Sequence, residues 1–108
     1  MWLFTDTGFV SAVSDGSDLM VRSRDRESLE PLAAVAKVEI KKTPNNDYPY
    51  RVHVKHEVFA EWVALMARNI RYGNFKSEVS ATRGDEFAHA LMLVWSTMHQ
   101  IEDMQSRN

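Results

Sequence analysis

The chain has 108 residues, 44% of them apolar and 26% charged, with no cysteine and a formal charge of −2. At about 100–150 residues per domain that length holds one hydrophobic core, and the apolar share is too high for a disordered chain. No apolar run approaches the roughly 20 residues of a membrane helix, Met1-Trp2-Leu3-Phe4 does not open a signal peptide, and without cysteine there is no disulfide scaffold, thiol catalysis or cysteine-ligated zinc. The expectation is one cytoplasmic α+β domain over residues 1–104, with a polar, frayed tail at 105–108.

Trp2-Leu3-Phe4-Thr5 and Gly8-Phe9-Val10-Ser11-Ala12-Val13 use the aromatic and β-branched types that suit a pleated surface. They read as one strand broken at Asp6-Thr7-Gly8, where the glycine suggests a bulge or bend. Asp15-Gly16-Ser17-Asp18 is a turn cluster, and Leu19 to Arg24 is a second strand paired with the first. Asp25-Arg26-Glu27-Ser28 offers an N-cap carboxylate and an acidic first turn for a helix over about 26–36. Pro31 lies deep in that span and argues for a later start. Val38-Glu39-Ile40-Lys41 and Tyr50-Arg51-Val52-His53-Val54-Lys55 alternate as a hairpin across Thr43-Pro44-Asn45-Asn46-Asp47.

From His56 the period becomes helical. Phe59, Trp62, Val63, Met66 and Ile70 share one face of an amphipathic helix. Tyr72-Gly73-Asn74 ends it, and Asn74 caps a brief helix in which Phe75 and Val79 lie four apart. A last helix carries Phe87, Leu91, Val94, Trp95, Met98 and Ile101 on a broad apolar face. The order is strand-strand-helix-strand-strand-helix-helix-helix, which predicts a four-stranded antiparallel sheet with helices packed on one face.

Alternation assigns the other face of that sheet. With Leu19, Val21, Val38, Ile40, Tyr50, Val52 and Val54 inward, the outer face receives Arg22, Arg24, Lys37, Lys41, Arg51, His53 and Lys55 against one acid, Glu39. In a chain of charge −2 this is a local excess of positive potential, suited to an anionic ligand, a phosphate backbone or an acidic protein surface. An open antiparallel face is also ordinarily solvated by Lys and Arg, which discourage edge pairing. Nucleic acid is a less favoured partner for an acidic chain, and would need exposed aromatics such as Trp2 or Phe4 on this face to stack bases. The acidic counterweight is Asp85, Glu86, Glu102 and Asp103 on the last helix.

The remaining chemistry is thin. His53 and His56 are three apart, and His89 and His99 ten apart, so neither pair has metal-ligand spacing, and no metal or cofactor is expected. Asp85 and His89 are four apart on a helix, where a carboxylate could orient an imidazole, but such pairs are ordinarily surface contacts. No serine stands in a nucleophile elbow and no glycine loop cradles phosphate, so no catalytic residue is assigned. Arg83-Gly84-Asp85 spells an adhesion tripeptide but reads as the entry to the last helix, with Thr82 capping and Asp85 in the first turn. The Trp62, Met66, Trp95 and Met98 stripe reads as core.

Taken in order, Trp2-Leu3-Phe4-Thr5, Gly8-Phe9-Val10-Ser11, Asp18-Leu19-Met20-Val21-Arg22-Ser23-Arg24, Thr43-Pro44, Asp47-Tyr48-Pro49-Tyr50-Arg51-Val52, Ile70-Arg71-Tyr72-Gly73-Asn74-Phe75-Lys76 and His89 ahead of Trp95 form a pattern. It resembles a family of small uncharacterised proteins of bacteria, especially actinobacteria, and their phages. The resemblance implies that one compact domain is the complete protein, and that the chain from Glu102 lies beyond the shared part. It implies no activity, and directs attention to Arg22, Arg24, Arg51, Tyr72, Asn74, Lys76 and His89. The expected function is a non-enzymatic binding module whose ligand residues are these seven with His53 and Lys55. The alternative is a phage- or mobile-element-encoded modulator of a host protein, for which the helical face and homo-oligomerisation matter more. A hydrolase-like site around His89, with Asp85 and Lys76, ranks third.

Overall fold

The computed structural model describes residues 1–44 and 47–106, so Asn45 and Asn46 of the expected hairpin connection, and Arg107 and Asn108 of the expected tail, lie outside the described residues. Two compact units divide the chain, Met1–Arg71 and Tyr72–Asn108. The first holds strands β1 (Trp2–Thr5), β2 (Gly8–Asp15), β3 (Asp18–Ser23), β4 (Lys41–Lys42) and β5 (Tyr50–Val54), and helices α1 (Glu30–Ala36) and α2 (His56–Arg68). The second holds α3 (Phe75–Arg83) and α4 (Asp85–Ser106). The protein is thus α+β with an antiparallel sheet, as its periodicity predicts, but the sheet has five strands rather than four, in the order β1-β2-β3-β5-β4.

The extra strand comes from Asp6-Thr7-Gly8, which is a hairpin turn and not a bulge. Thr5 stands opposite Gly8 and Phe4 opposite Phe9, so β1 folds back on β2 across two residues. The Thr5 hydroxyl drives the reversal. It accepts the Thr7 N–H at 3.2 Å, donates to the Gly8 carbonyl at 3.3 Å and lies 3.0 Å from the Thr7 hydroxyl, a side-chain turn in which oxygen replaces a backbone partner. Met1 and Ala12 also exchange main-chain bonds, so the pairing is fixed from the first residue. The next turn, between Asp15 and Asp18, has Gly16 at φ 65°, the positive φ that a two-residue hairpin needs at its first central position.

The first helix starts four residues later than the span 26–36. Leu29 is its N-cap and Pro31 falls in its opening turn, where the missing N–H costs nothing. Asp25 is not the cap. Its carboxylate receives the Ser28 hydroxyl, while Ser28 Oγ accepts the Phe9 N–H at 3.2 Å. Buried Ser23 donates to the Phe9 carbonyl at 2.6 Å, so both serines tie β2 to the approach to α1.

Residues 38–40 are not strand. Lys37 adopts a left-handed conformation (φ 57°, ψ 44°) and the Val38 N–H returns to the Ala33 carbonyl at 3.1 Å. This six-to-one closure of the helix end occupies the backbone that the alternation assigned to the sheet. Only Lys41 and Lys42 pair, opposite Arg51 and Tyr50.

The inner face of the sheet supplies Val10, Ala12, Val21, Val52 and Val54, and α1 and α2 cover it with Leu29, Leu32, Ala33, Phe59 and Trp62. Each valine or leucine so buried contributes roughly 1.5–3 kcal/mol. Trp62 is the largest fully buried residue, its ring 5.8 Å from Phe59. Ile70, expected on this face, lies past the end of α2 and is half exposed. In the second unit Asn74 caps α3 as its type predicts, accepting the Ser77 N–H at 2.9 Å. Thr82 does not cap α4. Its hydroxyl bonds back to the Glu78 carbonyl inside α3, and Gly84 at φ 93° makes the break, with Asp85 and Glu86 in the first turn of α4. Val79 and Ala88 are buried. Val94, Trp95, Met98 and Ile101, expected as core, are exposed.

Candidate functional site

The outer face of the sheet follows from the register. One row of directly opposed residues, Trp2, Ser11, Arg22, Arg51 and Lys41, crosses all five strands. A second row sets Val13 beside Met20 and His53, and Phe4 stands opposite Phe9. Residues opposed in an antiparallel pair project to the same side, so aromatic and basic side chains occupy one surface.

The two central arginines are built into it. Arg22 donates from Nη2 to the Ser11 hydroxyl at 3.0 Å, and its guanidinium carbon lies 4.5 Å from the centre of the Tyr48 ring. Arg24, just beyond β3, lies 4.7 Å from the same ring and donates to the Asp47 carbonyl at 3.2 Å. Its side chain stays exposed and its contact with the Asp47 carboxylate is loose, at 3.7 Å, a geometry in which an ion pair is worth little. Arg51 donates to the Tyr48 carbonyl at 3.0 Å and reaches the Met20 sulfur at 3.8 Å. Tyr48 is buried. Its ring has both the Arg22 and Arg24 guanidiniums near its centre, at 4.5 and 4.7 Å, an arrangement that favours cations near the negative face of a ring.

The aromatic residues continue from that ring. Phe9 is 6.5 Å from Tyr48 and stacks on Phe4 at 4.6 Å, and Trp2 meets Phe9 edge-on at 5.7 Å. Trp2 is 68% exposed. Phe9 and Tyr48 are members of the face that alternation alone did not identify. Locating the Asp6-Thr7 turn fixes the side of Phe9, whereas Tyr48 precedes its strand and carries no periodic signal.

Of the remaining expected ligand residues, His53 is on this face and binds Asp15, Nε2 to Oδ2 at 3.1 Å. Lys55 is the exposed N-cap of α2, and Lys37 and Glu39 lie in the segment after α1, off the sheet. Tyr72, Asn74, Lys76 and His89 belong to the second unit. Tyr72 packs near Phe75 at 6.1 Å, Asn74 is spent on its cap, and Lys76 and His89 are exposed. Among the described residues Asp85 and His89 form no ion pair, and no three His, Asp or Glu side chains converge on a metal position. The nine expected ligand residues therefore divide between the units, and Arg22, Arg24, Arg51 and His53 stay together.

Fold and site together define an α+β chain with two helices on one face of an antiparallel sheet and an arginine- and aromatic-bearing surface on the other. Comparison with known proteins finds no matching family model, no similar curated protein and no similar solved structure. No helix among the described residues is long and apolar enough to cross a membrane.

Proposed function

We propose that the protein is a non-enzymatic binding module that engages an anionic ligand through the outer sheet face. The observation that carries this reading is the gathering of Arg22 and Arg24 at the Tyr48 ring, with Arg51 and Lys41 opposite in the adjoining strands. Arg22, held by the Ser11 hydroxyl and the Tyr48 ring, loses less freedom on binding than a free arginine, and the planar fork of a guanidinium matches a phosphate or carboxylate. Binding of inorganic polyphosphate tests the reading. Affinity should fall steeply between 50 and 200 mM salt, as released counterions require. Arg22→Glu with Arg51→Glu should abolish it while circular dichroism is retained. A folded double variant that binds as the parent does removes the sheet face from the function.

A second reading, a phage- or mobile-element-encoded modulator that binds a host protein, is favoured by one observation. Val94, Trp95, Met98 and Ile101, which share one face of α4 at three- and four-residue spacings, are all exposed, and clustered apolar exposure marks interaction surfaces. Under it, Trp95→Ser with Met98→Ser should remove a captured protein that survives nuclease and high salt, whereas the sheet-face variants should not.

A further inference from the structure

We infer that the ligand of the outer face is single-stranded nucleic acid, bound by stacking of two or three bases on Trp2 and Phe4 while Arg22, Arg24 and Lys41 hold phosphates. This rests on the sheet-face reading and goes beyond it in naming the ligand class. Positive charge alone would serve any polyanion. What distinguishes this face is an exposed indole in the same cross-strand row as Arg22 and Arg51, with a stacked phenyl pair beside it.

The dimensions agree. The row from Trp2 through Arg22 and Arg51 to Lys41 crosses five strands, roughly 19 Å at about 4.8 Å per strand. Sheet surfaces that read single strands stack about two or three bases over such a span. Acidic residues of a peptide would meet the same cations but carry no aromatic ring of their own for Trp2 to cover, whereas every nucleotide brings a base with its phosphate. A duplex keeps its base faces internal, so it too leaves the ring unused. Every base has a stacking face, and phosphates are common to both sugars, so the surface takes DNA and RNA strands alike. The overall charge of −2 predicts an affinity that depends on stacking as much as on phosphate contact.

Fluorescence anisotropy with the full chain tests this, using labelled 12-nucleotide oligothymidine and oligouridine, a duplex of equal length, and inorganic polyphosphate. Both single strands should bind within about threefold of one another and at least tenfold more tightly than the duplex. Trp2→Leu, which keeps an apolar contact with Phe9 but removes the ring system, should weaken oligonucleotide binding about tenfold or more and leave polyphosphate within twofold. Trp2→Phe should recover most of the loss, and Lys41→Glu and Arg24→Glu should weaken both ligands. Oligonucleotide binding that is indifferent to Trp2→Leu, or no tighter than polyphosphate, overturns the inference and leaves the basic face standing. A preference above tenfold for one sugar, or for the duplex, also overturns it. If no polyanion binds, or binding ignores Lys41→Glu and Arg24→Glu, both readings fall together. Because Trp2 is exposed and Lys41 lies on a two-residue edge strand, these variants test the surface without emptying the core.

Discussion

The Ser28 hydroxyl accepts the Phe9 N–H and donates to the Asp25 carboxylate, and the residue is 1% exposed. Removing it leaves a backbone donor of β2 without that acceptor and a carboxylate without that donor, in a place where water has little access. Ser28→Ala should therefore cost about 1–3 kcal/mol, the desolvation penalty of a buried group and not the small net value of an average hydrogen bond. Urea unfolding should show a lower midpoint at unchanged slope, and a shift below about 0.5 kcal/mol would mean the site relaxes around the alanine. Nothing in the sequence singles out Ser28, because its partner is 19 residues away and a serine in a polar stretch has the composition of any turn. Asp25 was legible as an acid near a helix start, but the group it serves was not. Arg22 is the opposite case: strand alternation puts it on the outer face, where the register also places it.

At the level of elements, β3, β5, α2 and α3 follow from patterns that are local and redundant. Period two or period 3.6 is repeated over several residues, and the Asn74 cap has a side chain made for its task. The elements that were missed depend on a single backbone conformation that ordinary residues adopt under constraint. The β1–β2 turn uses a threonine hydroxyl where Asn-Gly would have announced it, and α1 closes on Lys37 where glycine is usual. The second case gives a prediction. An L-residue in the left-handed region costs roughly 1–2 kcal/mol, whereas glycine adopts it freely but loses about 0.5–1 kcal/mol of extra chain entropy on folding. Lys37→Gly should consequently stabilise the protein by a few tenths to about 1 kcal/mol, and Lys37→Val should destabilise it, since β-branched residues tolerate positive φ least. Thermal unfolding of the two variants separates them, and a destabilised glycine variant would show that the Lys37 side chain matters more than its backbone.

Over the whole molecule, α4 departs most from what its sequence pattern suggests. Residues 93–105 are all exposed, although the apolar spacing of Val94, Met98 and Ile101 is that of a buried helix face. Hydrophobic period reports that a stripe wants cover, not which chain supplies it, so the pattern alone could not separate core from free surface. An isolated helical stretch of about 12–15 residues is marginal in water. Amide exchange beyond Leu93 in a dilute sample should thus be fast, while Val52 and Trp62 exchange at the rate set by global unfolding. Slow exchange throughout α4 at every concentration would contradict this.

The charge of the chain divides with its units. Residues 1–71 carry ten Lys and Arg and ten Asp and Glu, whereas residues 72–108 carry three and five, so the entire net charge of −2 belongs to the second unit. Every residue of the core under the sheet, from Leu3 to Met66, lies in the first, and so do all the arginines of the outer face. A chain ending at Arg71 should accordingly fold by itself. About 70 residues is near the small end for an unassisted core, so its urea transition should be cooperative but shallow, with a slope near the bottom of the ~1–3 kcal/mol/M range. The same fragment should bind polyphosphate at least as tightly as the full chain in 50 mM salt, because only net-negative sequence has been removed, and the difference should vanish by about 200 mM as screening shortens to roughly 7–8 Å. Tighter binding at low salt would assign the acid of α3 and α4 a purely electrostatic role. A fragment that folds cooperatively and has lost its polyanion affinity would instead place part of the site in the second unit, among Lys76 and its neighbours, and would refute the assignment of binding to the sheet face alone.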